Sequence, residues 1–161
     1  MERRKRAIRF LVAAAAGMAL LLGSAGAAAA APATPAPLAG ATLTGASITF
    51  NTFNDDKDND TFVRVTVNGD NGLAAVTSGF FGLFPDQSTK GPFNMTVRSG
   101  VRWESLTDNH VIITITPNGN DTWKFGFQVN LFFSDGSVEP EFLDFTTLSQ
   151  SSRTGDYEFV F

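Results

Sequence analysis

Apolar and polar residues alternate with a period of two over most of the chain beyond residue 45. Ile48, Phe50 and Thr52 alternate with Ser47, Thr49 and Asn51, and Val63, Val65 and Val67 alternate with Arg64 and Thr66. Successive side chains of a strand point to opposite faces, so each segment predicts one core face and one polar face. Further strands are predicted near 73–78, 92–98, 110–116, 123–133, 137–146 and 156–161. The clearest places Trp123, Phe125, Phe127, Val129, Leu131 and Phe133 on one side and Gly126, Gln128 and Asn130 on the other, the pattern of a central strand. Phe142 and Phe145 are expected to continue the core. Asn68-Gly69-Asp70-Asn71-Gly72 and Ser134-Asp135-Gly136-Ser137 are turn sequences. No stretch beyond the linker holds a helical period, and β-branched and aromatic residues fill the patterned segments. The expectation is an all-β fold: an antiparallel β-sandwich of seven or eight strands in one domain.

The N-terminal region has a different character. Arg3, Arg4, Lys5, Arg6 and Arg9 precede an apolar run from Phe10 to Leu22 and an alanine-rich stretch ending at Ala31. That order is the order of a signal peptide, expected over 1–31. A membrane anchor is the alternative, because the apolar stretch is long enough to span a bilayer; its alanine- and glycine-rich second half favours cleavage and secretion. Residues 32–44 carry three prolines and read as a flexible Pro/Ala linker, with the sandwich domain over 45–161.

Without residues 1–31, seven Lys and Arg face fifteen Asp and Glu, a net charge of −8. Such a domain is expected to avoid nucleic acid, and, once the signal is cut, membranes. Its partner is then expected to be a protein or a glycan. No cysteine is present, so disulfides, thiol nucleophiles and thiolate metal sites are excluded. Fifteen of the sixteen phenylalanines fall in the exported part and supply an aromatic core in their place.

Asp55, Asp56, Asp58 and Asp60 put four carboxylates into six residues between two strands. Such a density needs open solvent or a cation. Asn118-Gly119-Asn120-Asp121-Thr122 follows a later strand and repeats the Asn-Asp-Thr of 59–61. Asp56, Asp58 and Asp60 have the opening spacing of an EF-hand loop, but Thr61 and Val67 stand where that loop requires glycine and glutamate. A calcium site would therefore pool oxygens from two loops at one end of a sandwich: Asp55, Asp56, Asp58 and Asp60 from the first, Asn118, Asn120 and Asp121 from the second. A solvated turn is the competing reading.

The strand pattern over 45–161 and the loops Asn54–Thr61 and Pro117–Trp123 resemble the C2-type and PLAT/LH2-type β-sandwiches. That resemblance implies an eight-stranded domain whose end-loop aspartates hold calcium. The basic residues with which C2-type domains meet lipid are reduced here to Lys57 and Lys124, so lipid binding is not implied. The pairing of ITFNTFNDDKDND with PNGNDTWKF also resembles a type of small secreted bacterial domain, a resemblance that implies no activity.

Two rival functions remain. Trp103, Phe80, Phe81 and Phe84 are candidate contacts for a ligand or partner, and carbohydrate binding would use them. A small hydrolase would use His110, the single histidine, with Ser105 or Asp108 nearby in sequence. The principal expectation is a secreted non-catalytic module with a loop-end calcium site.

Overall fold

The computed structural model describes residues 35–161; the expected signal peptide and the first linker residues lie outside them. Eight strands form: β1 Leu43–Thr52, β2 Phe62–Gly69, β3 Gly72–Gly79, β4 Thr89–Val97, β5 Asp108–Thr116, β6 Thr122–Phe133, β7 Val138–Ser149 and β8 Thr154–Val160. A single 3₁₀ turn, Trp103–Ser105, is the one helical element among the described residues. No described helix is long and apolar enough to cross a membrane. Each strand predicted from alternation is present, because each can bury one face only in a pleated, two-sided element.

All neighbouring strands are antiparallel, in the order β7-β6-β1-β4-β3-β2-β5-β8. The β3–β4 junction is narrow, with only Ala75↔Val97 and Val76↔Thr96 in register. It joins two broad halves. At the opposite side, the two terminal strands of the order approach each other, and Thr146 Oγ1 lies 2.8 Å from the Tyr157 hydroxyl. The sheet is therefore nearly closed, with one seam between β7 and β8.

The inward faces fill the interior. Ile48 and Phe50 of β1, Val63, Val65 and Val67 of β2, and Val111, Ile113 and Ile115 of β5 are all buried. So are all six alternating residues of β6, from Trp123 to Phe133. Phe50 sits among Phe84, Phe93, Trp123 and Phe125, with ring centroids 5.0–6.3 Å away. Trp123 also donates its indole N–H to Thr52 Oγ1 at 3.1 Å, so its one polar atom is satisfied.

β7 departs from the expected pattern. Phe142 and Phe145 are 59% and 57% exposed and do not join the core. Glu141 holds the inward position before Phe142. The register then shifts: Phe127 pairs with Leu143 and Phe125 with Thr146, so Asp144 and Phe145 together oppose Gly126. This extra residue is a β-bulge, and it turns Phe145 outward against Phe53 at 5.6 Å. Gly126 makes the bulge feasible, since a Cβ there would lie 2.5 Å from the Asp144 carbonyl oxygen.

Part of the expected linker is held against the domain. Leu38 N–H donates to Asp135 Oδ2 at 2.7 Å, Gly40 N–H donates to Glu104 Oε1, and Trp103 N–H donates to the Ala41 carbonyl. Strand pairing then begins at Leu43.

The face assignment of β6 has a direct test. Phe127→Ala is expected to destabilise the domain by about 3–5 kcal/mol, since it leaves a cavity in the middle of the core face. Gln128→Ala, on the outward face where Gln128 bonds Asn130 Oδ1, is expected to cost less than about 1 kcal/mol. Urea melts of the two variants check this, and equal losses would contradict the assignment.

Candidate functional site

Antiparallel pairing brings four connections to one end of the sheet: 53–61 after β1, 80–88 after β3, 117–121 after β5 and 150–153 after β7. The backbone ties them together. Phe53 N–H donates to the Lys124 carbonyl at 2.8 Å, Lys124 N–H to Asp55 at 3.1 Å, and Gln87 N–H to Phe53 at 2.9 Å. Lys57 and Phe84 exchange two backbone bonds of 3.1 and 3.0 Å, a short antiparallel bridge between the acidic and aromatic loops.

At the centre is Lys57, whose side chain is fully buried. Its ammonium donates to the carbonyl oxygens of Asp58 at 2.9 Å, Thr61 at 3.3 Å, Phe80 at 2.8 Å and Gly82 at 2.8 Å. It also lies 4.8 Å from the centre of the Phe84 ring. Phe81 and Gly82 adopt left-handed conformations, with φ of 57° and 78°, in the turn that aims the Phe80 and Gly82 carbonyls at Nζ. Burial pushes the Lys57 pKa down, while the charges of Asp121, Asp58 and Asp60 push it back up. A buried ammonium is tolerated because its three protons all find acceptors and carboxylates surround it.

The expected metal ligands do come together, in pairs and not as one shell. Asn118 Nδ2 donates to Asp60 Oδ2 at 2.9 Å, and Thr61 Oγ1 donates to Asp121 Oδ2 at 2.6 Å. Asp55 forms an ion pair with Lys124 at 2.6 Å. Asp58, Asp60, Asn118 and Asn120 are exposed, and Asp56 and Asp121 are half-buried. Among the described residues no three His, Cys, Asp or Glu side chains converge on one point. As they stand, these residues do not frame a ready-made calcium cage, and the cation that the loops enclose is the chain's own Lys57. Asp58 nevertheless feels Asp121 most strongly, then burial and Asp56 and Asp60, and its pKa is raised despite Lys57 beside it.

The other candidate residues divide. Phe84 is fully buried and stacks with Phe93 at 5.9 Å, so it belongs to the core and to Lys57, not to a ligand surface. Phe81 packs on Phe93 at 4.6 Å. Phe80 remains 54% exposed, edge-on to Phe62. Trp103 sits half-buried between Phe133 and Phe161, at 5.5 and 5.3 Å. His110 lies on the outward face of β5 and bonds Asp156 Oδ1 at 2.8 Å, which raises its pKa.

Sequence reasoning passed over Lys57 as a functional residue, though its position as the lone cation among four aspartates was a visible signal. It also passed over Glu141 and Asn109, which are buried and bonded to each other. Nothing local marks that pair, because their strands are far apart in sequence. Compared with protein-family models and with curated proteins, the chain matches none.

Lys57→Met keeps the stem and removes the ammonium, leaving four carbonyl oxygens without their donor. Each buried unpaired acceptor costs roughly 1–3 kcal/mol, so the variant is expected to lose at least about 3 kcal/mol in a urea melt. A loss below about 1 kcal/mol would mean that water replaces the ammonium.

Proposed function

We propose that this chain is an exported, non-catalytic β-sandwich module with a structural or binding role, whose loop end is pinned internally by Lys57 and screened externally by calcium. In this reading the two halves of the nearly closed sheet are the layers of the sandwich. The observation that carries the proposal is the meeting of the two acidic loops at one end, with Asp58 in the combined field of Asp121, Asp56 and Asp60. Calcium accepts flexible oxygen ligation and weak sites fill at extracellular concentrations. Asp58, Asp60 and Asp121, with Asn118, are the residues that would hold it, by rotation of exposed and half-buried side chains around a backbone already fixed by Lys57. A protein or glycan partner would be met beside them, where Phe80 and Leu83 are 54% and 40% exposed.

Thermal scans of the metal-stripped protein test the calcium reading. Millimolar calcium is expected to raise the midpoint by a few degrees and magnesium to raise it less, because magnesium demands a tighter octahedral shell. Replacing Asp58 and Asp121 together by Asn is expected to abolish the shift. An unchanged midpoint in the wild type, or an undiminished shift in the double variant, would remove calcium from the proposal.

A further inference from the structure

The seam between β7 and β8 contains a second buried ionisable group. Glu141 of β7 is 1% exposed and Asn109 of β5 is fully buried. Asn109 Nδ2 donates to Glu141 Oε1 at 2.6 Å and to the Leu106 carbonyl at 2.9 Å, so both amide protons are used. Two buried oxygens are left without a partner, Glu141 Oε2 and Asn109 Oδ1. Both belong to the two groups already joined. If Glu141 is ionised, these are two acceptors with no donor between them, an arrangement that is costly in an interior. A single proton on Oε2 supplies the missing donor.

We propose that Glu141 and Asn109 form a proton-operated latch across the seam: the protonated carboxyl and the carboxamide close a ring of two hydrogen bonds, and loss of that proton opens the ring and loosens β7. The position suits a latch. Asn109 is in register with Phe159 of β8, while Glu141 pairs with Val129 of β6, so their bond ties one edge strand to the wall that carries the other. The Thr146–Tyr157 bond is a second tie across the same seam.

The surroundings favour the neutral acid. Burial raises the Glu141 pKa most, the bond from Asn109 opposes it, and the charge of Glu139 on the same strand adds to it, giving about 7. The other residues placed around the pair do not ionise near neutrality: Val129 and Leu131 on β6, Leu106 before β5, and Phe159 and Tyr157 on β8, the tyrosine held above its ordinary value by burial. Asp108, His110, Asp156 and Glu158 lie on the outward faces of β5 and β8.

The sign follows from linkage. Between the ordinary glutamate value of 4.5 and about 7 the folded form holds one proton more than the unfolded form. Stability from this group is therefore complete at low pH, falls as pH rises through that window, and is lost above it. His110, raised by Asp156, falls in the same direction, so the test is made in a His110→Asn background. Asp58, also raised, contributes equally to every variant in the comparison, whereas Glu139, raised by burial, loses its coupling to Glu141 in the Gln variant.

Thermal midpoints and amide hydrogen exchange are measured from about pH 5 to about pH 8. The His110→Asn protein is expected to melt several degrees lower at the higher pH, with β7 amides losing more protection than base catalysis explains. Adding Glu141→Gln, whose carboxamide closes the same ring with no proton to lose, is expected to remove most of that dependence and keep β7 protected. An unchanged slope in the Gln variant overturns the proposal. Should that variant fail to fold, carbon-13 titration of glutamate carboxyls in the wild type decides. A buried carboxyl that titrates near neutrality together with β7 exchange supports the latch; glutamates that are all ionised at about pH 5 refute it.

Discussion

The loop end of this domain depends on one buried ammonium. Lys57 is fully buried, so its ammonium protons go to protein oxygens, and the oxygens it takes belong to Asp58 and Thr61 in one loop and Phe80 and Gly82 in another. Meeting that demand fixes the path of both loops, including the left-handed turn at Phe81 and Gly82. The Phe84 ring beneath the ammonium is also a wall of the core, in contact with Phe50 and Trp123. One side chain thus couples the polar loops to the aromatic interior. In a chain without cysteine this polar pin joins two loops that no disulfide can join.

The electrostatic consequence is a division of charge by depth. The positive group is inside and the carboxylates are at the surface, where solvent or calcium can screen them. Their mutual repulsion is relieved from below by Lys57 and from the side by Lys124, which holds Asp55. The loops are joined by hydrogen bonds between the chain's own residues, which form the scaffold of the proposed calcium site. Asp60 and Asp121 are positioned by Asn118 and Thr61 across the gap between the two loops.

Lys57 and Glu141 are two buried ionisable groups with opposite balances. Every proton of Lys57 has an acceptor, so burial lowers its pKa against a field that restores the charge. Glu141 has one donor for two oxygens and faces a second unpaired oxygen on Asn109, so its environment favours the neutral form. The first arrangement is a permanent fastening at one end of the sheet. The second, on the one seam of a nearly closed sheet, depends on the proton supply outside.

Alternation along the chain was enough to determine the eight strands and the inward face of β6, because the two-residue period of a pleated strand is a local property. The acidic run and its Asn-Asp-Thr echo pointed to two loops, and antiparallel connectivity brought them to one end. What the local pattern left open was decided by contacts between distant segments. The bulge opposite Gly126 turned Phe145 out of the core, since a register shift arises from how two strands pair and not from either strand alone. Phe84 went inside because the loop that carries it is drawn down by Lys57. Lys57 itself, in sequence a cation in a solvated turn, became the buried centre only when two loops offered it a cage of carbonyl oxygens. Asn109 and Glu141 met for the same reason: neither strand carries a trace of the other, and only closure of the sheet places a carboxyl against a carboxamide with no water between them.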